Sequence, residues 1–92
     1  MQFEFDLNKS NANEGKHGIS FSEAQDLWCD EYRMVAELEH KGEQRYLLIA
    51  NYGGSIWSAI YIMKNENVRI ISVRRATKSE VSFYDKSKNS HC

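Results

Sequence analysis

The sequence predicts an α+β fold: an antiparallel β-sheet with two N-terminal helices and a C-terminal helix packed on it, in the order β-α-α-β-β-β-β-α. Three observations carry this. Apolar residues run with a period of two from about residue 33 to residue 75, interrupted only by short turn sequences, so neighbouring strands pair antiparallel. Two capping-box signatures, S-F-S-E at Ser20–Glu23 and T-K-S-E at Thr77–Glu80, bracket that region. Gly18 follows Lys16 and His17 where a first helix would stop.

The elements follow in order. FEFDL, residues 3–7, alternates aromatic and acidic residues and suits a short strand with Phe3 and Phe5 on one face. Asp6 or Asn8 then caps a helix through NKSNANEGKHG, weak in propensity because it holds three asparagines and Gly15. The second helix starts at Ser20, carries Phe21, Ala24, Leu27 and Trp28 as an apolar stripe and ends near Cys29–Asp30. Met34, Ala36 and Leu38 alternate with Arg33, Val35 and Glu37 in the next strand. The turns HKGE, YGGS and KNEN separate it from RYLLIAN, IWSAIYIMK and VRIISVRR. Thr77 caps the last helix, which Phe83 and Tyr84 are expected to anchor to the sheet.

A chain of 92 residues has room for one modest core, expected as a single domain over residues 1–86 with residues 87–92 as a flexible tail. No apolar run approaches the ~18 residues of a membrane span, and the start MQFEFDLNKS is no secretory signal, so the cytoplasm is the expected compartment. Cys29 and Cys92 read as free thiols, and a mobile Cys92 would be open to adventitious intermolecular pairing. His17, His40 and His91 are scattered, so no metal site and no cofactor is expected. No phosphate loop, nucleophile elbow or carboxylate pair is present.

The formal net charge of −1 hides an asymmetry. Residues 1–43 carry −6, residues 44–63 add only Arg45, and residues 64–92 carry +4. A basic C-terminal third provides the local field that a polyanion site needs, unless the two halves simply attract one another in the fold. Within that third, Arg74 and Arg75 stand side by side at a strand end. Arginine grips phosphate oxygens through a planar fork and never titrates off. Neighbouring strand residues point to opposite faces, so the two converge on one ligand only where the strand ends, twists or bulges. The alternative is that they pair with acids from the N-terminal half. Lys64 ends the preceding strand, near Arg69 across the hairpin and away from Arg74.

Two motifs together resemble one family. F-E-F-D…K-H-G-I-S-F-S-E-A, from Phe3 to Ala24, is similar to the opening of the BrnT toxins, and R-I-I-S-V-R-R-A-T-K-S-E…Y, from Arg69 to Tyr84, to their closing signature. Y-L-L-I and Y-I-M-K keep the spacing between them. Leu7 replaces the usual proline after the first aspartate. The resemblance implies a RelE-like ribonuclease fold and a toxin of a type II toxin–antitoxin pair. Its partner would be a BrnA-like antitoxin with a ribbon-helix-helix DNA-binding domain, giving a hetero-oligomer that represses its own promoter. Arg74 and Arg75 fall on arginines the family depends on. Lys64, in the context Ile62-Met63-Lys64, takes the place of a further family arginine, and lysine cannot make the forked contact.

On this reading RNA supplies its own nucleophile, the 2′-hydroxyl. Arg74 and Arg75 would stabilise the charge growing on the phosphate, with Lys64 assisting or acting as base. Tyr84 would stack a base or relay a proton, or else serve only as helix anchor. Arg69, Lys78 and His17 complete the candidate set as substrate-binding residues, His17 also being an acid–base candidate or a purely local hydrogen-bonding group. Two rivals stand beside this: a non-catalytic module that docks an antitoxin, its site decayed at Lys64, and a DNA-binding co-repressor.

Overall fold

The computed structural model describes residues 2–90. Strand β1 (Phe3–Glu4) leads into helix α1 (Leu7–His17). Asp6 is the cap: its carboxylate accepts from the Asn8 and Lys9 amides. Gly18 ends the helix in the left-handed conformation, at φ 81°, and returns its N–H to the Glu14 carbonyl. Helix α2 (Phe21–Ala24) carries the complete Ser20–Glu23 capping box, then tightens into a 3-10 turn over Gln25–Cys29. That tightening keeps Phe21, Ala24 and Leu27 buried, with Trp28 half-buried beside them.

Four strands follow: β2 (Met34–His40), β3 (Glu43–Tyr52), β4 (Ser55–Lys64) and β5 (Asn67–Arg75). They pair antiparallel in sequence order. All three hairpin turns have positive φ at both central residues: Lys41–Gly42, Gly53–Gly54 and Asn65–Glu66. This is the turn whose twist matches the strands it joins. Helix α3 (Lys78–Asn89) closes the chain, with the Thr77–Glu80 capping box complete. It extends through residues 87–89, and the Lys88 ammonium lies 5.2 Å from the Tyr32 ring centre. His91 and Cys92 lie outside the described residues.

The five-stranded sheet is mixed, because β1 joins it parallel, beside β5, in the order β1-β5-β4-β3-β2. That pairing joins the two ends of the chain, far apart in sequence. Beyond Arg69 the outer edge of β5 has no strand partner among the described residues, and α1 takes over. The Asn13 side chain, almost fully buried, accepts from the Val73 N–H (3.2 Å) and donates to the Val73 carbonyl (2.9 Å). It also donates to the Ile19 carbonyl (2.9 Å). One amide thus does for the edge what a neighbouring strand would do.

The core lies between one sheet face and α1–α2. Phe21, Ala24 and Leu27 meet Leu48, Ala50, Trp57, Ala59, Val68, Ile70 and Val73 there. Helix α3 covers part of the opposite face, with Tyr84 fully buried and Phe83 exposed, so Tyr84 alone is the anchor. A bulge decides which β5 side chains face which side. Ile60 pairs Ser72 but Tyr61 pairs Ile70, leaving Ile71 as the extra residue. Val73 consequently joins Val68 and Ile70 in the core, and the alternation beyond it is set: Arg74 toward α3, Arg75 toward Trp57.

Candidate active site at the end of strand β5

Arg74 and Arg75 are opposite Ser58 and Trp57 of β4. The bulge precedes them, so regular alternation holds and they diverge. Arg74 meets the first turn of α3. Its Nη1 and Nη2 donate to Glu80 Oε1 and Oε2 at 2.8 and 3.0 Å, a two-bond ion pair. The same carboxylate accepts from the Ser58 hydroxyl (2.8 Å) and the Thr77 amide (2.9 Å). The Arg74 bonds, with these two donors, outweigh partial burial and hold the Glu80 carboxyl down at about 2. Arg74 Nη1 also reaches the Arg75 carbonyl at 3.2 Å. Two of its five N–H groups remain uncommitted, on a side chain that is 37% exposed.

Arg75 has a different setting. Its guanidinium lies 4.8 Å above the Trp57 ring, a cation–π contact that fixes its plane without using its donors. Trp57 is itself held by its indole N–H to the Tyr52 carbonyl, at 3.2 Å. Among the described residues no carboxylate pairs with Arg75, which is exposed. Lys78, three residues past the strand and exposed, adds a third cation at this end of the sheet.

The remaining candidates lie elsewhere. Lys64 pairs Asn67, six positions along β4 from Ser58, or roughly 20 Å away. Arg69 shares that distant end and reaches Glu4 at 3.3 Å. Tyr84 is buried beneath α3 and donates to Asp30 Oδ2 at 2.6 Å. Burial first, then this hydrogen bond, pushes its phenol far up. Asp30 also accepts from the Asn51 and Tyr32 amides; burial opposes its ionisation, but these bonds and Tyr84 prevail and lower its pKa. His17 stands half-buried at the end of α1, lining a cleft against β5. Arg74, Arg75 and Lys78 thus share one end of the sheet, with the two arginines on opposite faces of it, while Lys64 with Arg69, His17 and Tyr84 each lie apart from them.

Several contributors were not singled out from the sequence. In the sequence Glu80 stands out only as a helix cap. Its second role had a local signal, since a two-residue link, Ala76–Thr77, leaves the first turn of α3 little choice but to meet the end of β5. Trp57, Asn13 and Asp30 act across long separations, and no local pattern marks them. Among the described residues no group of three or more His, Cys, Asp or Glu side chains could hold a metal ion, and no helix is long and apolar enough to cross a membrane.

The described residues form an α+β protein with a five-stranded mixed sheet whose fifth strand ends in two arginines, one ion-paired and one stacked on an indole. The sequence model of the ribonuclease toxin BrnT, of type II toxin–antitoxin systems, matches residues 5–80, and the chain belongs to that family. The matched segment contains Asn13, Trp57, Arg74, Arg75 and Glu80, and stops before Tyr84. A comparison with curated proteins gives no match.

Proposed function

We propose that this toxin is an endoribonuclease that cuts RNA by 2′-hydroxyl attack at the end of β5, with Arg75 receiving the phosphate undergoing cleavage from one face and the free donors of Arg74 reaching it from the other. The observation that carries this is the contrast between neighbours: Arg75 exposed, stacked and without an acidic partner, Arg74 fixed by Glu80 with two donors free. As the 2′-oxygen–phosphorus bond forms, the hydroxyl loses its proton and charge grows on the non-bridging oxygens. Arginine N–H groups held in place before the reaction stabilise that charge without reorganising. The phosphorus–O5′ bond then breaks, O5′ takes up a proton, and the ends are a 2′,3′-cyclic phosphate and a 5′-hydroxyl. Lys78 adds local field, while Lys64 and Arg69 act as more distant backbone contacts. Tyr84 acts through packing.

The neutralising partner is a BrnA-like antitoxin with a ribbon-helix-helix DNA-binding domain, acting with the toxin in the cytoplasm. Strand β2 supports a need for cover, being a sheet edge with Val35 and Leu38 exposed. A second reading, an antitoxin-docking module without catalysis, is favoured by one observation: Lys64 lies far from the arginines. The test is incubation of purified, antitoxin-free protein with a defined RNA in EDTA, with chemical mapping of the ends. Cyclic phosphate ends, absent when the nucleotide before the cut is 2′-deoxy, support the enzyme. No cutting, either alone or with translating ribosomes, supports the docking module.

A further inference from the structure

A second cationic feature lies along the other flank of β5. Helix α1 and the β5 bulge border an open cleft of about 230 Å³, lined by Lys9, Lys16, His17 and Ser72, with Phe21 and Ile71 as apolar wall. No carboxylate among the described residues lines it. Among the described residues neither lysine has an ion-pair partner. Asn13 also borders the cleft, but its amide is committed to Val73 and Ile19. The polar groups left for a ligand are therefore two ammonium groups, an imidazole and a hydroxyl.

The space is smaller than the roughly 300–1,000 Å³ that takes a drug-sized molecule, so it suits a small anionic group. Lys9 and Lys16 are seven residues apart on one helix, about 10 Å along its axis. Two cations flanking the cleft at that spacing suit one anion seated between them, with an ammonium on each side. The cleft also meets the same strand as the arginines: Ser72 precedes Arg74 by two strand residues, about 7 Å.

We propose that this cleft is a phosphate subsite, in which Lys9, Lys16, His17 and Ser72 hold a backbone phosphodiester of the RNA next to the one received by Arg74 and Arg75. Its assignment to RNA rests on the ribonuclease reading; the anion site itself rests on the cleft. The subsite makes the substrate a strand that runs across the β5 edge, gripped on both sides of the bulge.

The experiment is titration of isotope-labelled, antitoxin-free protein with a non-cleavable 2′-O-methyl hexanucleotide, read by amide and imidazole chemical shifts, alongside Lys9→Gln/Lys16→Gln. Both lysines are exposed, so the double variant keeps the fold. Saturable shifts at His17 and Ser72 are expected. The double variant should bind about five- to tenfold more weakly, with a salt dependence shallower by about one unit in log–log slope. Equal affinity and slope in both proteins, or shifts confined to Arg74–Lys78, overturns the proposal. So does equal binding of an acidic peptide, which would make the cleft a partner-docking site. Inorganic pyrophosphate giving the same lysine-dependent shifts, with no RNA cleavage by the wild type, keeps the anion site and rejects the ribonuclease reading.

Discussion

Arg74 and Glu80 meet through two hydrogen bonds of 2.8 and 3.0 Å, and this contact joins the last strand to the first turn of the last helix. Glu80 is at once the helix-capping residue, the partner of Ser58 and the positioner of Arg74. Removing its charge leaves Arg74 half-buried without a counterion. Glu80→Gln should cost about 1–3 kcal/mol, a fall in melting temperature of several degrees at this chain length. The pH dependence has a definite sign. A carboxyl held at about 2, against its ordinary 4.5, contributes stability that is complete above about pH 4.5 and lost as pH falls toward 2. Acid unfolding of the wild type should steepen in that window, and Glu80→Gln should remove this component.

Asn13 substitutes for a missing strand, so Asn13→Ala leaves the Val73 N–H and two carbonyls without partners. Their burial makes the loss expensive: about 2–4 kcal/mol, read as a lower urea midpoint with unchanged slope. Hydrogen exchange at the Val73 amide should accelerate first.

Tyr84→Phe separates the two readings of that residue. If Tyr84 is an anchor, loss of its bond to Asp30 should cost about 1–2 kcal/mol while the cleavage rate at a permissive temperature stays within twofold. A proton relay would instead lose its rate with little change in stability.

The third hairpin carries a strain that is easily relieved. Glu66 has φ 70°, a conformation that an L-residue other than glycine or asparagine adopts at a cost of about 1 kcal/mol or more. Glu66→Gly should stabilise the protein by about 1 kcal/mol, raising the melting temperature by roughly 4–8 °C.

How much was legible in the sequence followed the range of the interactions. Gly18, both capping boxes and the three hairpins are local chemistry, and each stands where its residues indicated. The parallel pairing of Phe3 with Val68, the Asn13 bridge to Val73 and the bulge at Ile71 depend on contacts across most of the chain. The candidate site combined both kinds. Two adjacent arginines at a strand end were visible. Which of them turns to α3 and which to Trp57 was not, because that depends on a bulge three residues earlier that slips the β4–β5 register by one and that no β5 residue announces.

In the proposed reaction Arg75 faces the phosphate together with Arg74. The most direct measurement is the rate at which Arg75→Ala cuts a defined RNA, taken together with its melting temperature. Arg75 is exposed and has no acidic partner among the described residues, so a rate at least 100-fold lower is expected, with melting changed by less than about 3 °C. Cleavage by Arg75→Ala at the wild-type rate would contradict it.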